Sequence, residues 1–412
     1  MLTVEEKIEH LRKIGLDGDM TEIKKMYSGE EFNPNTEMYK KLVEMSKKYC
    51  LRFTELSGLI AKTKDQEKME KLGKEKSEIL DKLFPGHGLI VGGGDGLFAI
   101  IGMVDVDGFN YINSRVHFNA SALVHLEEYV FVASNVEFGN NDIITAGTSK
   151  AGRITVERDT WIGAGVHIGN NTHTGARSLV AMGSNVAENT ILKPDMISFG
   201  NPCKEYKIIT DDYETKTPKP EVKRTDDEIK RLIGHMKRLG IDGDLSQYIR
   251  LLTYEKYNTM EPTISKIFDL AHRLCSEYNC NDISVRRRKE ILDMLFPIQG
   301  NNLVMGDDIY VDCIGTVKIG NDVTIGNSPT LAGNITIGDN AKIGNNVILQ
   351  TIGHEINYKG RRLGQDEQGN LCEISTPGFI VVAPEIVLAD GTKVIPNKTV
   401  TRDTGKDELI TR

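Results

Sequence analysis

The chain reads as a mostly β protein: two three-sided parallel β-solenoids, each preceded by a short α-helical segment. Three observations predict this. An internal repeat divides the chain, each half changes from helical to non-helical patterning after an LFP motif, and both halves then keep a six-residue aliphatic rhythm.

The repeat is read from matching words. GLDGD at 15–19 returns as GIDGD at 240–244, with Cys50 matching Cys275, at an offset of 225. EILDKLFP at 78–85 returns as EILDMLFP at 290–297, at an offset of 212, so the first copy carries thirteen extra residues in the Lys-rich AKTKDQEKMEKLGKEK. Residues 1–85 form the first helical segment, because EMYKKLVEMSKKYCLRF places apolar residues at helical spacing.

Residues 86–209 form the first solenoid. Its beat is Ile112, Phe118, Val124, Val130, Val136 and, after a break, Val156, Ile162, Ile168, Thr174, Val180, Val186, Leu192. Six is far from a multiple of 3.6, and a long strand would show period two, so neither a helix nor a flat sheet explains it. A triangular coil does: each unit is a short strand plus a corner, and the aliphatic side chains stack inward into a column that no single repeat could bury. Gly163, Gly169, Gly175, Gly320, Gly326, Gly338 and Gly344 follow the beat and are read as corners needing tight backbone, often with positive φ.

The polar, Pro-containing stretch 210–228 is the linker. Residues 229–297 are the second helical segment, with ISKIFDLAHRLCSEY at helical spacing. Residues 298–405 are the second solenoid, beating at Ile319, Ile325, Leu331, Ile337, Ile343, Leu349 and, after a longer break, Val382, Leu388, Val394, Val400.

Composition narrows the function. With 412 residues and a formal net charge of −8, the chain lacks the basic balance of a nucleic-acid binder. No run of eighteen apolar residues suggests a membrane span, and the charged N-terminus MLTVEEKIEHLRKIG does not read as a signal peptide, so a cytoplasmic protein is expected. The internal KDEL at 406–409 is no retention address. Six cysteines without a CxxC are read as reduced, structural thiols, and no metal site is expected. The glycines at 92–94 and 96 lack a following GKS or GKT and are read as a loop.

The motif with most chemistry is TIGHEINYKGRR, 351–362, where the rhythm stops and His354 appears. A coil position points into the core or out to bulk water, so leaving the rhythm lets a loop carry the imidazole to a cleft. A neutral imidazole accepts protons near pH 7. The plainer alternative is a solvated loop histidine. The other eight histidines, at 10, 87, 117, 125, 167, 173, 235 and 272, are read as surface or packing residues.

The order of features is more specific: a helical stretch KKMYSGEEFNPNTEMYKKLVEMSKKYC, then DGFNYI, the coils, a protruding loop with Gly-His, WIGAG and GNPCK. This order resembles the hexapeptide-repeat acyltransferases, and within them the galactoside and maltose O-acetyltransferase family, here in tandem. The resemblance implies left-handed parallel β-helices, acetyl-CoA as co-substrate, a saccharide acceptor and trimeric packing with sites at the seams, formed between copies one and two or between identical copies. It implies His354 as general base. It further implies acceptor contacts at Arg361, Asn327, Asn119, Asn33 and Asn258. Coenzyme A contacts would fall at Trp161, Gly163, Gly183, Ser184, Gly200, Asn201, Pro202 and Lys204 in copy one, and at Thr401 and Arg402 in copy two. Gly-Asn-Pro could equally be a closing turn.

Copy one departs from the pattern, offering Asn140, Asn141 and Asp142 where the histidine belongs, and a carboxylate of normal pKa is a poor base for a hydroxyl. Copy two has no WIG tryptophan. An amine or antibiotic acceptor, or a catalytically degenerate scaffold, are the rival readings.

Overall fold

The computed structural model describes residues 2–411 except 64, 87, 92–95, 120, 141–146, 214–223, 362–363, 366–370, 373, 378–385, 397 and 401. Two compact units divide the chain, Met1–Thr210 and Asp211–Arg412. Among the described residues no helix is long and apolar enough to cross a membrane.

The first unit opens with helices Val4–Lys13, Thr21–Ser28, Glu37–Lys62 and Gln66–Leu83. Thr3 and Glu6 make a reciprocal capping box that satisfies amides at the start of the first. Three sheets follow, of five, seven and four strands, in which successive coils pair in parallel. Parallel strands joined by short corners on three faces form the wall of a prism, and the aliphatic column fills it.

In the later coils the register reproduces the six-residue beat. Val156 pairs with Thr174 and Thr174 with Leu192, Ile162 with Val180, and Ile168 with Val186, a coil of three repeats. The first coil differs. Ile112 pairs with Val132, Phe118 with Phe138 and Val106 with Leu126, so the wall residues lie two positions beyond the expected Val124, Val130 and Val136. Two additional residues in that turn shift the phase; the three expected valines are still buried.

The glycines after the beat correct the expectation in another way. A Cβ on Gly175 would lie 2.3 Å from the Pro194 nitrogen, and one on Gly163 2.5 Å from the Met182 nitrogen, so the backbone of the next coil excludes a side chain there. The left-handed residue comes two positions later, at Arg177, Asp322, Asn340 and Asn346, where Asp and Asn tolerate that geometry best.

The second unit repeats the plan. Helices Asp226–Arg238, Ser246–Leu252, Pro262–Tyr278 and Val285–Leu295 precede sheets of five, four and three strands. Ile319 pairs with Ile337, Ile325 with Ile343 and Leu331 with Leu349, as the rhythm predicts, and Leu388, Val394 and Val400 rejoin the same columns after the excursion. Val382 lies outside the described residues. The first helix begins at Asp226 and the last strand is Leu409–Ile410, paired with Lys393–Val394, so these elements overrun the sequence boundaries at 229 and 405.

Corresponding contacts recur in both units. The Cys50 thiol donates to Ala99 O (3.6 Å) and Cys275 to Val311 O (3.8 Å). His10 Nε2 bonds Lys82 O (2.9 Å) and His235 Nε2 bonds Met294 O (2.8 Å). Each pair sits at the sequence offsets of 225 and 212. Phe84 of LFP stands edge-on to Phe118, which stacks on Phe138 at 4.9 Å, so the motif closes one end of the prism interior. Because long helices accompany many two- and three-residue strands, the fold is mixed α and β rather than mostly β.

Among the described residues, Cys50, Cys203, Cys275, Cys280 and Cys313 carry free thiols. Burial pushes the Cys50 and Cys203 thiols up to about 11, which keeps them protonated at neutral pH.

Candidate active site

The strand Ile348–Gln350 ends the last regular coil before the break. Thr351 closes the corner: its amide donates to Ala332 O (2.8 Å) and its hydroxyl to Asn334 O (3.3 Å). The chain then leaves the prism as a strand, Ile352–His354, so His354 is the final residue of a strand and not part of a free loop. That strand pairs antiparallel with Ile374–Pro377, whose other edge pairs with Tyr257–Asn258 from the helical segment. Ser375 stands opposite both His354 and Tyr257, which sets the outer strands about 10 Å apart, two strand spacings. Asn258 therefore shares a sheet with His354.

His354 is half-buried. The peptide after it is held tightly. Arg361, only 2% exposed, donates from its guanidinium to Glu355 O (3.2 Å) and Ile356 O. The Glu355 carboxylate pairs with Lys256 Nζ. Asn357 donates to Asp211 O (3.0 Å), and Lys359 pairs with Asp211 at 3.3 Å. Arg361 thus binds backbone carbonyls in the turn that follows the imidazole.

The expected asparagines are also engaged locally. Asn258 Oδ1 accepts the Met260 amide (3.0 Å) while its own amide donates to Gln247 Oε1 (2.9 Å). Asn33 Oδ1 accepts the Asn35 amide (2.9 Å) and its amide donates to Glu22 Oε2 (2.6 Å). Both are turn-forming asparagines. Asn327 is a rung in a ladder, accepting from the Asp307 amide (2.9 Å) and donating its own amide to Asn345 Oδ1 (2.8 Å). Asn119 Nδ2 donates to Glu137 Oε1 and Gly139 O, both at 2.8 Å.

Of the residues expected to meet coenzyme A in copy one, Trp161 and the 200–204 hairpin lie on one seven-stranded sheet, and Gly183 and Ser184 lie in the corner beside it. Trp161 is buried and pairs with Phe131 and Leu179. The hairpin of Met196–Gly200 and Cys203–Ile208 closes the same sheet. Ser184 Oγ accepts the Gly200 amide (3.2 Å), Asn185 donates to Asn201 Oδ1 (3.2 Å), and Gly183 and Gly200 adopt positive φ. Trp161, Gly163 and Ser184 are buried in the wall, while Asn201, Pro202 and Lys204 are exposed. In copy two, Arg402 pairs with Glu408 (2.6 Å) and donates to Asp403 O (2.7 Å), while Thr401 lies outside the described residues.

Several other histidines sit on fixed partners: His125 on Asp107 (2.7 Å), His173 on Glu157 (2.8 Å), and His272 beside Asp312 (3.4 Å) and Tyr310 (3.3 Å). His87, Asn141 and Asp142 lie outside the described residues. Among the described residues no group of three or more His, Cys, Asp or Glu could hold a metal ion. In the first unit, among the described residues, the helical segment pairs with the excursion through two strands, Glu31–Phe32 against Ser149–Lys150. Lys256 and Glu355 are the residues sequence reasoning missed; the one signal was that Lys256 replaces Glu31 at the repeat offset.

The coils of the second unit match a known family model. Residues 316–350 fit bacterial transferase hexapeptide (six repeats), and this hexapeptide repeat ends four residues before His354. Solved structures similar to the chain include three acetyltransferases. A hexapeptide-repeat acetyltransferase from Vibrio cholerae O1 biovar eltor, complexed with acetyl coenzyme A, shares 22% identity over 47% of this chain and 100% of its own, at a TM-score of 0.37. A maltose O-acetyltransferase from Clostridium difficile 630 shares 25% identity over the same 47% and 100%, also at 0.37. A galactoside acetyltransferase in complex with coenzyme A shares 17% identity over 47% of this chain and 93% of its own, at 0.34. No curated protein matches the chain in sequence.

Proposed function

We propose that this chain is an acetyl-CoA-dependent O-acetyltransferase acting on a hydroxyl of a sugar or sugar-like acceptor, with His354 as general base. The observation that carries the proposal is the place of His354: it ends the strand that leaves the hexapeptide coil and is locked by sheet register to the strand bearing Asn258. A coil residue would face the core or bulk water, whereas His354 is half-buried.

In the proposed step the imidazole takes the hydroxyl proton as the oxygen attacks the thioester carbonyl. The C–S bond breaks, the acetyl group passes to oxygen, and coenzyme A leaves as the thiol with the proton returned to sulfur. General-base help of this kind is worth about 10²–10⁴ in rate. The two prisms are read as left-handed tandem copies acting in a trimeric assembly in the cytoplasm. Copy one lacks the histidine, so the base is assigned to copy two.

The test is release of free coenzyme A from acetyl-CoA with a panel of saccharides, amines and antibiotic hydroxyls. The expected result is turnover with a saccharide, lowered about 10²–10⁴-fold in His354→Ala with folding intact. Unchanged thioester cleavage in that variant overturns the assignment, and a response to amines alone overturns the acceptor class.

A further inference from the structure

We infer that the Lys256–Glu355 ion pair is a positioning device for His354, fixing the imidazole by tying the strand that carries it to the helical segment. The inference rests on the reading of His354 as the base.

The backbone at His354 is anchored from three directions. Sheet register holds one side, through Ser375 to Tyr257. The buried Arg361 guanidinium holds the carbonyls of Glu355 and Ile356 from behind. The ion pair adds a third tie, a side-chain link between the two outer strands whose register Ser375 sets. Lys256 directly precedes Tyr257 and Glu355 directly follows His354, so the pair joins the two outer strands across the middle one. Such a span needs a long cation and a long carboxylate.

Stability alone is a poor reason for the pair. The Lys256 side chain is 53% exposed against 15% for Glu355, and an ion pair whose cation is open to solvent is screened and contributes little to folding. The repeat supplies a control written into the same chain. At the offset of 225, Glu31 stands where Lys256 does; its carboxylate takes the Thr148 hydroxyl, and no strand bearing a histidine lies there. The cation therefore occurs in the half that has the base.

The experiment compares Lys256→Met, Glu355→Gln and the exchanged double variant Lys256→Glu/Glu355→Lys in the full chain. Two readouts are taken: coenzyme A release, and hydrogen exchange of the segment 350–361. Each single variant should lower kcat about ten-fold with KM for acetyl-CoA within about two-fold, because a displacement near 1 Å at a reacting group can cost that much or more. Exchange over 350–361 should quicken in the single variants. The exchanged pair should recover most of both, which general damage to folding would not allow. Single variants with wild-type kcat and exchange, or losses that the exchanged pair fails to recover, overturn the inference. An inactive His354→Ala beside unaffected pair variants sinks this inference alone, while an active His354→Ala sinks the reading of the base beneath it.

Discussion

Arg361 shows how a single buried side chain can shape a turn. A guanidinium that is 2% exposed and donates from Nη1 to the carbonyls of Glu355 and Ile356 holds a turn that has no regular ladder of its own. Removing it leaves buried carbonyls without donors, a loss of about 1–3 kcal/mol each where water cannot replace the bond. Arg361→Met should therefore destabilise the second unit by about 2–4 kcal/mol in urea unfolding and lower coenzyme A release as well. Arg361→Lys should recover little, since the shorter lysine ends short of the Nη1 position that serves both carbonyls, and its strongly hydrated ammonium is costly to bury there. Wild-type stability in Arg361→Met would refute this account. The spacing of His354 and Arg361 was visible in sequence, but the role was not: the same arginine can face a ligand or the backbone, and only burial distinguishes them.

At the scale of elements, the hexapeptide rhythm was legible because each inward side chain has a stacked equivalent one coil away. Ile319, Ile337 and Leu388 form such a column even though an excursion interrupts it. The rhythm could not show the two-residue phase shift in the first coil, because Val130 and Val132 are both apolar and both buried. Nor could it show the sheet joining His354 to Tyr257, which depends on pairing residues about a hundred positions apart, where local pattern carries no information. The coil glycines offer a test of the stacking itself. At Gly175 a Cβ would meet backbone, 2.3 Å from the Pro194 nitrogen and 2.6 Å from the Lys193 carbonyl carbon. Gly175→Ala should force two coils apart and cost about 1–3 kcal/mol, seen as a lower midpoint for the first unit. Gly73→Ala, in the helix Gln66–Leu83 with nothing within 4 Å of the added methyl, should instead gain up to about 1 kcal/mol. Equal responses would mean that coil-to-coil contact does not dictate these glycines.

For the whole molecule, pH links the two units through groups of opposite kinds. His235 on the first helix of the second unit has its pKa lowered, chiefly by burial and against the hydrogen bond to Met294 O. Because its folded value lies below the unfolded value near 6.5, the unfolded chain binds the proton first, and stability falls as pH drops below about 6.5. Carboxylates in both units behave differently. Hydrogen bonding to Lys25 lowers Glu22, to Lys193 lowers Glu205, to Arg286 lowers Glu290 and to Arg402 lowers Glu408. Their contribution is complete above the ordinary glutamate value of 4.5 and is lost as pH falls through the lowered folded values. Urea unfolding from pH 8 to 3 should thus show two declines. The first, confined to the second unit and no steeper than about 1.4 kcal/mol per pH unit, should vanish in His235→Gln, because an amide can still bond Met294 O but does not titrate. The second, below pH 4.5, should persist in that variant and weaken in salt, since the pairs concerned are exposed and screened. A His235→Gln chain that declines like wild type between pH 7 and 5.5 would show that this histidine is not held neutral by the fold.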